Sequence, residues 1–168
     1  DRQILLIYGL RRVGKTSLIY QIVQYLLEEV IKETSILYFS FDEHLIDLDD
    51  LIKTYEEKIL NKIINKEKIY LFLDEIQKSE NWEDKIKIYY DLYPNIKFIL
   101  SGSASVHLKK KMKESLAGRM FDFILEPLSF EEFLKLKGIH VDKNKISLYN
   151  RDILPLFYNY LKKGGFPE

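Results

Sequence analysis

Five short, predominantly apolar runs punctuate this chain, and the intervals between them carry helical periodicity. The runs are Ile4–Tyr8, Ile36–Phe41, Ile69–Leu73, Ile96–Leu100 and Phe121–Leu125. None shows the strict polar alternation of a half-solvated strand, so strands buried on both faces of a parallel sheet are expected. The intervals repeat apolar residues at three- and four-residue steps: Ile19, Ile22, Val23, Leu26 and Val30, then Ile52, Tyr55, Ile59 and Ile63, then Trp82, Ile86, Tyr89, Tyr90 and Tyr93. This is the spacing of amphipathic helices. Strands alternating with helices imply right-handed crossovers and an α/β fold, a three-layer α/β/α sandwich.

After Leu125 the pattern turns to helices. Pro127 closes the last strand, and Ser129 with Glu132 has capping-box spacing ahead of a helix over Phe130–Leu136. A polar stretch, Asp142–Ser147, precedes a final helix near Pro155–Lys163, with Gly164 at its C-terminal cap. The expected organisation is a core over residues 1–127 and a helical extension over 128–168 that begins a lid.

Gly9-Leu10-Arg11-Arg12-Val13-Gly14-Lys15-Thr16 satisfies the phosphate-loop pattern G-x-x-x-x-G-K-[ST], with Ser17 following. Its position between a strand and a helix is the context that the chemistry needs. The glycines let successive backbone N–H groups face phosphate oxygens, and the helix N-terminus adds positive potential. Lys15 is expected to reach the β- and γ-phosphates of ATP, and the Thr16 hydroxyl to coordinate Mg²⁺. Arg11 and Arg12 read as solvated positions of the loop.

The third run ends in two carboxylates, Asp74 and Glu75. Ligands of open parallel sheets bind outside the C-terminal strand ends, which brings this pair beside the phosphate loop. Asp74 is expected to hold Mg²⁺ through its water shell, and Glu75 to polarise the attacking water as general base. Asp42 and Glu43, after the second run, read as a solvated loop.

Composition restricts the alternatives. The 168 residues suit one domain with a sizeable core. Lys+Arg and Asp+Glu both number 26, so no global field draws the chain to nucleic acid or membrane. There is no Cys, and His44, His107 and His140 have no neighbours at metal-ligand spacing, which removes disulfides and thiolate metal sites. No apolar run approaches the ~20 residues of a membrane span, and no signal peptide opens the sequence, so the cytoplasm is expected. With Asp1 in place of Met, and a turn signal over Gly164–Glu168, a longer polypeptide is expected.

Taken in order, Tyr8–Ser17, Leu73–Gln77, Ser101-Gly102-Ser103, Leu116-Ala117-Gly118-Arg119, Pro127–Phe133 and Gly164–Glu168 resemble the AAA+ ATPases. More narrowly, they resemble the predicted ATPases widespread in archaea and some bacteria. The resemblance covers nearly the whole chain. It implies a five-stranded P-loop NTPase sheet of order 5-1-4-3-2, with Ile96–Leu100 between the phosphate-loop strand and the acidic strand. It also implies a polar γ-phosphate sensor at the tip of that strand, Ser103, with Ser101 the close rival. Arg119 resembles the finger that reaches a neighbouring subunit's nucleotide. Gly165-Phe166-Pro167 resembles an element near the adenine.

Three functions share these motifs. One is an ATP hydrolase coupled to movement of attached or partner domains, the second a slow-turnover nucleotide switch, and the third a small-molecule kinase, against which Glu75 speaks. ATP, Mg²⁺ and self-association or a partner protein are expected. Nucleic-acid contact through Lys109, Lys110, Lys111 and Lys113 competes with a solvated helix face, which zero net charge favours.

Overall fold

A computed structural model describes residues 2–29, 31–43, 46–64, 67–103, 115–140 and 150–166. The five apolar runs form β1 (Ile4–Gly9), β2 (Ile36–Ser40), β3 (Ile69–Asp74), β4 (Ile96–Ser103) and β5 (Met120–Leu125). They join in one sheet of order β2-β3-β4-β1-β5. The order matches the sequence expectation. β2 pairs with β3, β3 with β4, and β4 with β1, all parallel.

Parallel pairing brings the strand ends together. Ser40 lies opposite Asp74, and Gly9 opposite Ser103. The last residues of four strands therefore share one edge, and each crossover leaves from it and returns to the opposite edge. The helices α1 (Lys15–Glu28), α2 (Leu48–Tyr55) and α3 (Trp82–Leu92) fill the crossovers.

Because side chains alternate along a strand, each face is buried separately. Leu6, Leu71, Leu73, Phe98 and Leu100 pack in one cluster with Leu48, Leu51, Ile52, Tyr55, Trp82 and Ile86. Ile7, Phe72 and Ile99, at the alternate positions, are also buried. Burial of each such side chain contributes about 1.5–3 kcal/mol.

Polar groups fix α2 against α3. Asp47 caps α2 by accepting the Asp49 N–H at 2.9 Å, and it also pairs with Lys85 of α3. Lys85 Nζ reaches Asp49 at 3.2 Å, and the Tyr89 hydroxyl donates to Asp49 at 2.8 Å. The Lys85 side chain and the Asp49 N–H hold the Asp47 carboxyl below its usual range.

Two helical expectations and one strand expectation need correction. The periodicity that ran to Ile63 ends earlier: α2 stops at Tyr55, one π-helical turn follows over Glu56–Leu60, and Asn61 turns left-handed at φ 50°. Ile63 is consequently 68% exposed, because that turn rotates it off the buried face. β5 is an edge strand in which Phe121, Phe123 and Ile124 are exposed instead of being covered on both faces. The final helix, α5 (Asn150–Lys163), starts five residues before Pro155, whose missing N–H removes one helical hydrogen bond without ending the helix.

The chain divides into two compact units, residues 1–9 with 15–124, and residues 10–14 with 125–168. In the second unit α4 (Phe130–Leu136) starts on the expected capping box: Ser129 N donates to Glu132 Oε2 at 2.7 Å, and Glu132 N donates back to Ser129 Oγ at 3.3 Å. Phe130, Phe133, Phe157 and Tyr160 form an aromatic cluster with ring centres 5.0–6.5 Å apart. Leu128 donates its N–H to the Gly165 carbonyl at 2.8 Å and accepts the Tyr160 hydroxyl at 2.8 Å. At φ 75°, with Leu128 O only 2.5 Å from where a Cβ would stand, position 165 accepts glycine alone without strain.

Candidate functional site

The site grows from the C-terminal edge of the sheet. β3 is apolar until its last residue, so Asp74 is carried to the sheet edge by a rigid strand, 2% exposed. A carboxylate so deep must be matched by donors. Four are present. Thr16 Oγ1 donates to Asp74 Oδ2 at 2.7 Å, and Tyr38 OH to the same oxygen at 3.3 Å. Ser101 Oγ and the Glu75 N–H donate to Oδ1, the latter at 3.1 Å. Ser101 Oγ also accepts the Glu75 N–H at 3.3 Å, so this hydroxyl both donates and accepts.

Glu75 leaves the strand in a left-handed conformation, φ 51°. For a side chain with a Cβ this costs roughly 1–2 kcal/mol. Its two N–H contacts and the following turn, closed by Lys78 N to Glu75 O at 3.0 Å, hold it there. The conformation swings the Glu75 carboxylate toward α1, where Oε1 stands 3.8 Å from Lys15 Nζ, with the two side chains 17% and 5% exposed. Gln77 Nε2 donates to the other oxygen, Oε2, while Gln77 Oε1 is buried without a hydrogen-bond partner among the described residues. Lys15 Nζ also lies 3.5 Å from the Gly9 carbonyl.

The phosphate-loop turn itself bends through two left-handed residues, Arg12 at φ 66° and Gly14 at φ 102°. Leu10, Arg11 and Arg12 are exposed and Val13 is buried. Ser17, the second residue after Lys15, is exposed on α1.

The first unit thus brings together Gly9, Lys15, Thr16, Asp74 and Glu75. A hydroxyl and a carboxylate oxygen 2.7 Å apart form a hard-oxygen donor set, which suits Mg²⁺ and leaves coordination positions to phosphate and water. Ser103 ends β4 in register with Gly9, whereas Ser101 is committed to Asp74. Arg119 is elsewhere. Its carbonyl accepts the N–H of Ile4, the first residue of β1, so it lies at the far end of the strand from Gly9, roughly 16 Å away at about 3.3 Å per residue. Its guanidinium makes a two-pronged pair with Asp91 at 3.1 and 3.2 Å, 6.0 Å from the centre of the Tyr90 ring.

Two neighbours of the site were given no role of their own by the sequence. Tyr38 sits inside an apolar run, where aromatics read as packing. Burial first, and then the Tyr20 side chain and the Asp74 charge, push its phenol above the ordinary tyrosine value, so it keeps its proton and donates a hydrogen bond. Gln77 closes the Leu73–Gln77 motif, but nothing in the sequence ties its amide to the Glu75 carboxylate. The basic segment Lys109–Lys113, His107, Pro167 and Glu168 lie outside the described residues. Among the described residues no helix is long and apolar enough to cross a membrane.

The family model of the AAA domain matches residues 1–134. Two uncharacterized proteins of Methanocaldococcus jannaschii are similar to the chain: one is 36% identical over 99% of the chain and 36% of the relative, the other 38% identical over 91% and 31%. An uncharacterized Haemophilus influenzae protein is 32% identical over 96% of the chain and 39% of its own length. The chain thus spans between three and four tenths of these relatives. Among solved structures, the Aeropyrum pernix ORC1 protein in complex with DNA is similar in fold at a TM-score of 0.57 and 11% identity, over 89% of this chain and 50% of that one. C. elegans PCH-2 matches at 0.50 and 15%, over 84% and 42%.

Proposed function

This chain belongs to the AAA domain family of P-loop ATPases, and from that premise we propose that it binds ATP with Mg²⁺ and hydrolyses its β–γ anhydride. In this reading the backbone amides of Gly9, Leu10, Arg11, Arg12, Val13 and Gly14 cradle the phosphates, with Ser17 extending the donor set. Lys15 turns from Glu75 to the β- and γ-phosphates. Thr16 and Asp74 hold Mg²⁺, which when bound neutralises charge on the phosphate oxygens. Glu75 then takes a proton from the attacking water, with Gln77 restraining the carboxylate's second oxygen. Ser103, beside Gly9 at the tip of β4, reads the γ-phosphate. Arg119 serves a neighbouring copy's phosphates, since its own chain holds it at the opposite end of the sheet.

The observation that supports this reading best is the approach of Lys15 and Thr16 to Glu75 and Asp74, pairs separated by 60 and 58 residues in the chain. Hydrolysis is coupled, in this proposal, to movement of the helical segment from residue 128 onward or of attached domains. Lys15→Ala tests the site: losing a buried, charge-assisted phosphate contact of about 3 kcal/mol weakens ATP binding roughly 100-fold. Unchanged affinity in a calorimetric titration rejects the assignment.

One observation favours a slower device. Glu75 is engaged by both Lys15 and Gln77, so the base is tied up until Lys15 moves. A nucleotide-dependent switch of low turnover fits that restraint, and single-turnover phosphate release distinguishes it from a rapid hydrolase.

A further inference from the structure

We propose that Tyr38 is a positioning residue for Asp74, orienting that carboxylate toward the divalent cation of the nucleotide; the inference rests on the ATP-site reading above. Asp74 Oδ2 has two donors, the Thr16 hydroxyl at 2.7 Å and the Tyr38 hydroxyl at 3.3 Å. The two are not equivalent. A Thr16 hydroxyl that offers a lone pair to a cation keeps its proton on Oδ2 but is then held by the cation as well, whereas the Tyr38 hydroxyl is held by its strand and by the ring contact with Tyr20 alone. Ser101 and the Glu75 N–H meanwhile restrain Oδ1. Tyr38 is thus the strand-borne donor that holds the second oxygen in place beside the Thr16 contact.

The placement of Tyr38 is rigid for local reasons. It stands mid-strand in β2, in register with Phe72 of β3. Its ring packs against the Tyr20 ring of α1, with centres 4.9 Å apart and planes inclined at 56°. Tyr20 lies four residues after Thr16, one helical turn along the same helix face. The helix that carries the hydroxyl therefore also buttresses the phenol that shares its acceptor. Groups that orient a metal's ligands are typically worth 10–100-fold in metal affinity.

The test is Tyr38→Phe in the full-length protein, which keeps the ring and its contact with Tyr20 and deletes only the hydroxyl. A fluorescent ATP analogue is titrated in EDTA and then with increasing Mg²⁺, without reading turnover. The expected result is unchanged affinity in EDTA and a Mg²⁺ midpoint raised about 10-fold. An unchanged midpoint overturns the proposal, and so does an equal loss with and without Mg²⁺, which marks a purely structural role. Should Tyr38→Phe fail to fold, Tyr20→Leu removes the buttress and keeps the hydroxyl. A midpoint raised to a smaller degree then supports the proposal, and no change overturns it. Absence of any analogue binding by the wild-type protein rejects the ATP site itself, an outcome distinct from binding whose Mg²⁺ midpoint ignores position 38.

Discussion

Thr16 Oγ1 donates to Asp74 Oδ2 over 2.7 Å, joining the start of α1 to the end of β3 across 58 residues of sequence. Asp74 ends β3, and Thr16 lies in the first turn of the helix that follows β1; β1 and β3, with β4 between them, end at the same sheet edge. A threonine hydroxyl and an aspartate that already share a hydrogen bond need little rearrangement to share a cation. Pre-organisation of this kind lowers the cost of binding.

Glu75→Gln should leave ATP affinity within a few-fold of wild type and lower turnover by about 10²–10⁴, the usual contribution of a positioned general base. Phosphate release under saturating ATP measures it. Equal rates in both proteins would remove Glu75 from the chemistry.

Arg119→Ala should lower turnover only in samples concentrated enough for copies to associate. The residue is bound to Asp91 at the opposite end of β1 from Gly9, so its own site lies out of reach. An equal loss in dilute monomer, checked by light scattering beside the assay, would contradict a role between copies.

Asp47→Ala should destabilise the fold by about 1 kcal/mol at pH 7, the usual cost of losing a helix N-cap. The Asp47 carboxyl is held below its ordinary value by Lys85 and the Asp49 N–H. Its charge-dependent stabilisation is therefore present above the unfolded value of about 3.9 and is lost as pH falls through the lower folded value. Urea titrations of the Asp47→Asn variant against wild type should converge in strongly acid buffer. Added salt should narrow the gap at pH 7, since the ion pair is partly exposed.

Gly165→Ala should cost more stability than Gly138→Ala, although both glycines have positive φ. The left-handed backbone alone costs roughly 1 kcal/mol with a Cβ. At position 138 nothing stands within 4 Å of that Cβ, whereas at 165 it would meet Leu128 O at 2.5 Å. Urea midpoints of the two variants, with exchange of the Leu128 amide, separate strain from collision.

The sheet was legible because the strands are apolar on both faces, and the nearness of the loop to the acidic pair because parallel strands end at one sheet edge. What escaped has physical causes. Tyr38 lies in an apolar run of a chain with 12 tyrosines, and only the fold reveals that its hydroxyl meets a carboxylate. Ser101 and Ser103 share one strand and one spacing, and the register alone separates the serine on Asp74 from the one beside Gly9. Periodicity carried the second helix to Ile63 because Asn61 can adopt left-handed φ without any warning from its apolar neighbours. Phe121 and Phe123 looked interior because their apolar run does not say whether anything packs on the faces of that strand.

The order of strands also bears on how the molecule is made. β1 emerges first, yet its neighbour β4 begins at Ile96, and Leu5 meets Ile99 only after 94 intervening steps of synthesis. A nascent chain that has not yet released β4 carries the glycine turn with no partner strand to steady it. Ribosome-bound lengths ending before Ile96 should therefore be blind to nucleotide, and competence should arrive late and all at once.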